Sequence, residues 1–471
     1  MSSLIEKHTG LYTDLYELTM VQGYFLSGTH ETPAAFDYFF RENPFKGGYV
    51  VFSGLQNLME VLENFHYSDE DLKYLKSLGF FKPAFLEYLK GFRFNGRLFS
   101  MREGEVVFPL ETLARVEGTL LETQLIETLL LNFLNFESLI ATKASRMVVA
   151  ARGRRVVDFG LRRAQGLAGI QASRAAFVGG VDGTSNLYSA MEFGLPPSGT
   201  QAHSWIQSYP DELDAFRRFA EIYPKQCVLL VDTYNTLKSG VPNAITVAKE
   251  MEARGEKLLG IRLDSGDLAY LSKHARNLLD EAGLHYVKIV VSNQLDEHLI
   301  KSLLDQGAPI NAFGVGTNLV TGQDTPALDG VYKLSFLDGV PRLKISENPT
   351  KTSLPGLKKV IRYSDGDGFF YADGITLDDE KVLEYIHHPL YPEQKSRVAQ
   401  YFPESLLFKV MEAGKALVKF PAPEAAAYAK ERLSKLSPER KRFENPHTYK
   451  VGISQKLMDL RTQIIQKYSK A

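Results

Sequence analysis

Through the middle of the chain, apolar residues gather in short unbroken runs. Each run ends on a small or acidic polar residue, and a stretch of helical periodicity follows. CVLLVD ends at Asp232, KLLGIRLD at Asp264, VKIVVSN at Asn293 and INAFGVGT at Thr317, so the polar ends recur every 24 to 32 residues. That interval is the length of one strand–helix unit. Unbroken rather than alternating apolar strands predict a parallel sheet covered by helices. RRVVDFG, AAFVGGVD and PPSGTQAH extend the series backwards, giving seven units between about 150 and 320. Seven is enough to close an α/β barrel, and an open doubly wound sheet is the alternative.

The flanks lack this unit. Residues 1–117 mix short strands (FDYFF, YVVFSG, GEVVFPL) with helices, and 330–400 return to short strands. In the latter region Asp-Gly pairs at Asp329, Asp338, Asp365, Asp367 and Asp373 predict hairpins. The barrel is expected over 118–329, and a helical extension over 401–471. There Ser454 is placed to cap a helix that aligns Leu457, Leu460, Ile464 and Tyr468. FPAPEAAAYAKERLSKLSPERKR reads as a solvated, charge-mixed helix.

Composition narrows the class of protein without naming one. Fifty-five basic residues balance 56 acidic ones in 471, which argues against a nucleic-acid partner. No apolar run approaches the roughly 18 residues of a membrane span, and MSSLIEKHTG does not read as a secretory signal. The single cysteine, Cys227, excludes an internal disulfide, an iron–sulfur cluster and a cysteine-based zinc site. It suits a reducing cytoplasm, and within QCVLLVD it reads as a buried apolar residue.

Candidate chemistry sits at the strand ends, where α/β barrels carry their functional groups. Every unit supplies some: Asp158–Arg162, Asp182, His203, Asp232, Asp264–Asp267, Ser292–Asn293 and Gly314–Thr317. GVGTNL offers backbone N–H groups and the Thr317 hydroxyl to an anion. In GIRLDSGDL, Asp264 and Asp267 bracket Ser265 and Gly266. Carboxylates beside a phosphate need a hard cation or ribose hydroxyls, so Mg²⁺ with a ribose phosphate is the economical reading; helix capping is the plainer one. Arg262 shares a strand face with Asp264. Arg162 can take a carboxylate bidentately, and Phe159 can wall a flat ring. His203 suits acid–base work or phosphoryl acceptance. The signatures of P-loop ATPases, dinucleotide-binding folds, zinc proteases and serine hydrolases are missing.

Seven segments carry a family resemblance: TDLYELTM (Thr13–Met20), FDYFFRENPFKGGYVVFSGL, DFGLRRAQG, GTQAHSW, RLDSGDL, FGVGTNL and NPHTYKVGIS. In order and spacing they resemble the nicotinate phosphoribosyltransferases. The resemblance implies an irregular α/β barrel with a second α/β domain built from N- and C-terminal segments. It implies a homodimer with shared active sites, and synthesis of nicotinate mononucleotide from nicotinate and phosphoribosyl pyrophosphate. It also implies ATP as co-substrate and Mg²⁺ carried on the pyrophosphate.

The same resemblance gives His203 as a phosphohistidine and puts Asp264 and Asp232 with it in catalysis. Tyr16 of a second copy, Phe159, Arg162, Asp182 and Arg262 go to the pyridine ring. Ser265, Gly266, Asp267, Ser292 and Asn293 go to the phosphoribosyl group. Gly314, Gly316 and Thr317 go to its 5′-phosphate, and Arg41 and Lys351 of a second copy reach phosphates. Asp182 also suits an amide, which keeps nicotinamide phosphoribosyltransferase as an alternative. A non-catalytic sensor of a phosphorylated ligand is the alternative from another class.

Overall fold

The computed structural model describes residues 7–347, 352–381 and 383–469. The chain divides into two compact units, Ile140–Pro326 and Met1–Leu139 with Ala327–Ala471. The first segment thus runs past the expected 117, and the returning segment takes in the whole C-terminal stretch.

Ile140–Pro326 holds five parallel strands: β1 (Arg155–Asp158), β2 (Val228–Leu230), β3 (Gly260–Leu263), β4 (Lys288–Ser292) and β5 (Ala312–Val315). Their order across the sheet is β1-β5-β4-β3-β2. Val156, Leu229, Ile261, Ile289, Val291 and Phe313 are fully buried, as unbroken apolar strands require when both faces are covered. Helices follow on cue because acidic residues cap them. Asp211, Asp267 and Asp296 each accept a backbone N–H from three residues on, which satisfies an otherwise orphaned helical donor.

Two of the seven expected strands do not form. AAFV of AAFVGGVD is the last turn of the helix Ala168–Val178, and only single parallel bridges form nearby, Asp158 to Thr184 just after that segment and Thr184 to Pro197 within PPSGTQAH. The cause is local. Gly180 has φ +103°, and Pro196 and Pro197 have no N–H to give a ladder. On the opposite edge Gln201 Nε2 donates to Val228 O at 3.4 Å. Regular ladders therefore make a five-stranded sheet, extended by bridges, among the described residues.

The other unit is built on an antiparallel sheet of seven strands. Within it Pro33–Phe40 lies between Gly330–Leu337 and Ala114–Thr119. A second sheet of six strands includes Lys358–Ser364, Phe370–Leu377 and Lys450–Ile453. Strands at Phe402–Ser405, Phe408–Glu412 and Lys450–Ile453 mean that 401–471 is no helical extension, because it supplies strands to both sheets. The final helix, Gln455–Ser469, does start as expected, with Ser454 Oγ accepting from the Leu457 N–H at 3.1 Å.

Asp338-Gly339 makes a two-residue turn with both φ positive, as a tight hairpin demands. Asp373 is different. It lies inside a strand, fully buried, 2.6 Å from Arg362. Arg362 also reaches Glu105 at 2.5 Å, and Arg432 reaches Glu105 at 2.8 Å. Arg432 lies on Ala422–Ser434, so that helix has a buried face with Ala425 and Ala429 and is not simply solvated. Cys227 is fully buried, and burial pushes its thiol up to about 12.

Within TDLYELTM, Glu17 is buried and accepts from Thr13 Oγ1 (2.6 Å), Thr128 N (2.9 Å) and Thr128 Oγ1 (2.6 Å). Burial pushes its carboxyl up to about 7 from 4.5 despite these bonds.

Two stability predictions follow from these buried charges. Arg362→Met leaves Glu105 and Asp373 short of a buried cation. It should cost about 3–5 kcal/mol in urea unfolding; a loss below about 1 kcal/mol would show that the network is dispensable. For Glu17, the native state keeps its proton to higher pH than the unfolded chain. That contribution therefore falls as pH rises from about 4.5 to about 7. Glu17→Gln should gain stability relative to the parent chain between pH 5 and pH 8, read from urea midpoints; a pH-independent difference would contradict the shift.

Candidate active site

The carboxyl ends of β1, β3, β4 and β5 open onto one cavity of about 440 Å³. Its geometry begins at Asp158, the last residue of β1. One carboxylate oxygen accepts the Gly160 N–H at 2.7 Å, and the other accepts the Ser173 and Thr184 hydroxyls at 2.8 and 2.7 Å. Burial holds this carboxyl above its ordinary value. Asp158 thus shapes the turn that carries Phe159.

The Phe159 N–H donates to Val315 O at 2.6 Å, which fixes the ring beside β5. A Cβ on Gly314 would lie 2.4 Å from that ring. Glycine is what lets the ring lie against the strand, so Phe159 and Gly314 together make a flat wall. Arg162 and Arg163 follow on the exposed turn Leu161–Arg163 and line the same cavity.

His203 opens the short helix His203–Gln207. Its Nδ1 lies 3.0 Å from Thr233 Oγ1, and its Nε2 lies 3.7 Å from Asp264 Oδ2. Asp264 accepts the Ser292 hydroxyl on its other oxygen. Arg262 Nη1 donates to Thr200 Oγ1, and burial lowers the Arg262 pKa. Ser292 and Asn293 at the end of β4, with Gly314, Gly316 and Thr317 after β5, complete the wall.

Ten of the sequence candidates therefore converge: Phe159, Arg162, His203, Arg262 and Asp264, then Ser292, Asn293, Gly314, Gly316 and Thr317. Others stand behind the wall. Asp232 Oδ2 accepts the Asp264 N–H at 2.8 Å and the Ser265 hydroxyl at 2.6 Å, so it shapes the turn that presents Asp264. Gly266 has φ +77°, the left-handed bend that turn needs. Asp267 caps the helix Leu268–Glu281. Asp182 is exposed and accepts the Val156 N–H at 2.8 Å; it does not line the cavity.

Tyr16 and Arg41 belong to the other unit. Tyr16 is 46% exposed on the helix Leu15–Leu26. Arg41 is half-buried, and its Nε makes no hydrogen bond among the described residues. Lys351 lies outside the described residues.

Sequence reasoning missed Ser185, Thr200, Gln201 and Gln294, all on the cavity wall. Each is a direct or near neighbour of a residue it did find. A strand end brings two or three consecutive residues to the opening, so the signal was adjacency. Among the described residues no group of three or more His, Cys, Asp and Glu side chains is arranged to hold a metal ion. No described helix is long and apolar enough to cross a membrane.

Comparison with known proteins bears on this geometry. Three family descriptions match the chain: the nicotinate phosphoribosyltransferase N-terminal domain over residues 11–135, the nicotinate phosphoribosyltransferase family over 154–389, and its C-terminal domain over 357–461. The nicotinate phosphoribosyltransferase of Bacillus subtilis (strain 168) is 44% identical over 460 residues, spanning 94% of this chain and 93% of that one. That of Caenorhabditis elegans is 35% identical over 516 residues, spanning 95% and 92%. The crystal structure of human nicotinic acid phosphoribosyltransferase superposes with a TM-score of 0.85 at 32% identity, over 96% of this chain and 99% of that one. With the matches running nearly end to end and the cavity lined wholly from within the family match over 154–389, the chain belongs to the nicotinate phosphoribosyltransferase family.

Proposed function

We propose that the chain forms nicotinate mononucleotide and pyrophosphate from nicotinate and phosphoribosyl pyrophosphate, with ATP hydrolysis coupled through His203. The observation that carries this reading is the composition of one cavity. A flat Phe159–Gly314 wall stands beside Arg162, and the same space holds Asp264 and the Gly314–Thr317 turn. The first pair suits a planar pyridine carboxylate, and the second suits a phosphorylated ribose.

The chemistry needs no base at the nucleophile, because a pyridine nitrogen already carries a lone pair. That nitrogen bonds to ribose C1 as the C1–pyrophosphate bond breaks and the electron pair leaves with pyrophosphate. The barrier lies in separating charge, so alignment and electrostatic stabilisation do the catalysis. Phe159 and Arg162 align the ring. Asp264, held by the Ser292 hydroxyl and by the Asp232-shaped turn, supports positive charge growing on the ribose. Arg262, held on the cavity wall by Thr200, stands with Arg162 toward the ring carboxylate. The cavity wall offers Asp264 as the carboxylate to meet a Mg²⁺ carried on pyrophosphate oxygens, in keeping with the few protein ligands that Mg²⁺ takes. When bound, Mg²⁺ neutralises the departing charge.

His203 suits phosphoryl acceptance because Thr233 engages Nδ1, leaving Nε2 toward Asp264. A phosphoryl group on Nε2 would bring negative charge against that carboxylate and shift the ribose end of the cavity. We read the sheet with its two bridges and the Gln201 contact as an irregular barrel. We also assign the protein to the cytoplasm, a reading supported by its lone buried thiol. A second copy is proposed to supply Tyr16, Arg41 and Lys351. The exposed face of Leu15, Tyr16 and Met20 supports this, being apolar and uncovered. The nicotinamide alternative rested on Asp182, whose carboxylate is engaged by Val156 away from the wall.

Pyrophosphate release should occur with phosphoribosyl pyrophosphate plus nicotinate and rise with ATP. Release with nicotinamide instead would overturn the substrate, and no release with nicotinate, nicotinamide or quinolinate would favour a sensor. His203→Ala should abolish ATP stimulation while leaving a slow basal rate; full stimulation in that variant would remove His203 from the coupling. Gly314→Ala should push the Phe159 ring aside and raise KM for nicotinate about tenfold or more, a loss of roughly 1.4 kcal/mol or more; an unchanged KM would remove Phe159 from the ring site.

A further inference from the structure

Beside the cavity wall, two consecutive non-glycine residues occupy the left-handed backbone region. Asn293 has φ +94° and Gln294 has φ +48°, directly after β4. Both line the cavity. Side chains disfavour this region, and a tandem pair needs its surroundings to hold it. The hydrogen bonds at the loop show what does so. Asn318 Nδ2 donates to Gln294 O at 2.9 Å and to Leu295 O at 3.3 Å, so both of its N–H groups serve two successive carbonyls.

Asn318 is 5% exposed and does not line the cavity. It sits in the turn Thr317–Val320, directly after Gly316 and Thr317, which do. Its amide orientation is determined, because the flipped form would set the side-chain oxygen against two carbonyl oxygens. Strands β4 and β5 are paired neighbours, with Gly314 opposite Ser292. Their two loops leave the sheet side by side, and the Asn318 amide is the cross-link between them.

We propose that Asn318 is a positioning residue for the phosphoribosyl end of the reaction, clamping the strained Asn293–Gln294 loop to the Gly316–Thr317 turn. This rests on the function proposed above, in which both loops meet the phosphoribosyl group. Only an asparagine-like donor pair suits the position. Aspartate would turn oxygens toward the carbonyls, and alanine would leave both carbonyls without their donor. Without the clamp the loop relaxes toward negative φ, and its backbone and the Asn293 side chain leave the wall. Reactant alignment is sensitive to such displacements. The ring end of the cavity, built on Asp158, Phe159 and Gly314, is untouched.

The test uses the full chain and separates the two substrates. Asn318→Ala should raise KM for phosphoribosyl pyrophosphate about tenfold, with KM for nicotinate within about twofold. Gln294→Gly removes much of the conformational cost at the loop, so Asn318→Ala should cost less in that background than in the parent chain. Equal rises in both KM values alongside a lowered melting temperature would mark a merely structural residue and overturn the proposal. So would an unchanged KM for phosphoribosyl pyrophosphate, or additive effects with Gln294→Gly. Should Asn318→Ala fail to fold, Asn318→Ser and Asn318→Asp are read by the same ratio of KM values. If the parent chain releases no pyrophosphate at all, the proposed function fails. The clamp is then judged from calorimetric binding of phosphoribosyl pyrophosphate to parent and variant, where equal affinity refutes it.

Discussion

Because β1 and β5 run side by side in the same direction, with Val315 opposite Asp158, their chains leave the sheet at one level and on one edge. The Phe159 N–H continues the ladder by one bond to Val315 O, so the ring lands over β5, where Gly314 leaves it room. An antiparallel partner would have sent one of these loops to the far end. Repeated across β4 and β3, the same pairing rule gathers groups scattered from Phe159 to Thr317 into one opening. Catalytic geometry here is a property of strand direction before it is a property of any side chain.

Charge is arranged on two levels around that opening. At the surface of the cavity stand Arg162, Arg163, Arg262, His203 and the single carboxylate of Asp264. Behind it stand carboxylates whose partners are backbone N–H groups and hydroxyls: Asp158 with Gly160, Ser173 and Thr184, and Asp232 with Asp264 and Ser265. The outer groups face the cavity, while the inner ones fix turns. A near-neutral total charge is the sum of these local specialisations.

Much of this was legible in the sequence, for a physical reason. A parallel strand must be apolar throughout, so the polar residue that ends it stands out, and ten candidates found at or beside such ends line the cavity. What was not legible depended on partners far away in the chain. Nothing near Asp232 or Asp182 tells whether the carboxylate faces a substrate or a backbone N–H; position at a strand end is the same in both cases. Asp373-Gly374 has the wording of a turn, yet Arg362 and the Tyr449 hydroxyl draw the aspartate into a buried network. The strands at 402–412 and 450–453 are short, and they exist because distant edges need partners. Glycine and proline within AAFVGGVD and PPSGTQAH were visible. They could have warned that these units would give bridges rather than ladders.

The pairing of the first and last strands of the sheet has a kinetic consequence. Arg154 and Ile310, hydrogen-bonded beside that pair, are 156 positions apart. Closing so long a loop costs entropy before any contact repays it, and topologies of this kind form late. The aromatic wall requires the β1–β5 pair, so a half-assembled sheet holds no half-assembled ring site. During synthesis, Phe159 emerges long before Gly314 is made, and that wall is absent until the second has been delivered. The Phe159–Gly314 wall of a newly made chain therefore forms only once this last pairing is in place.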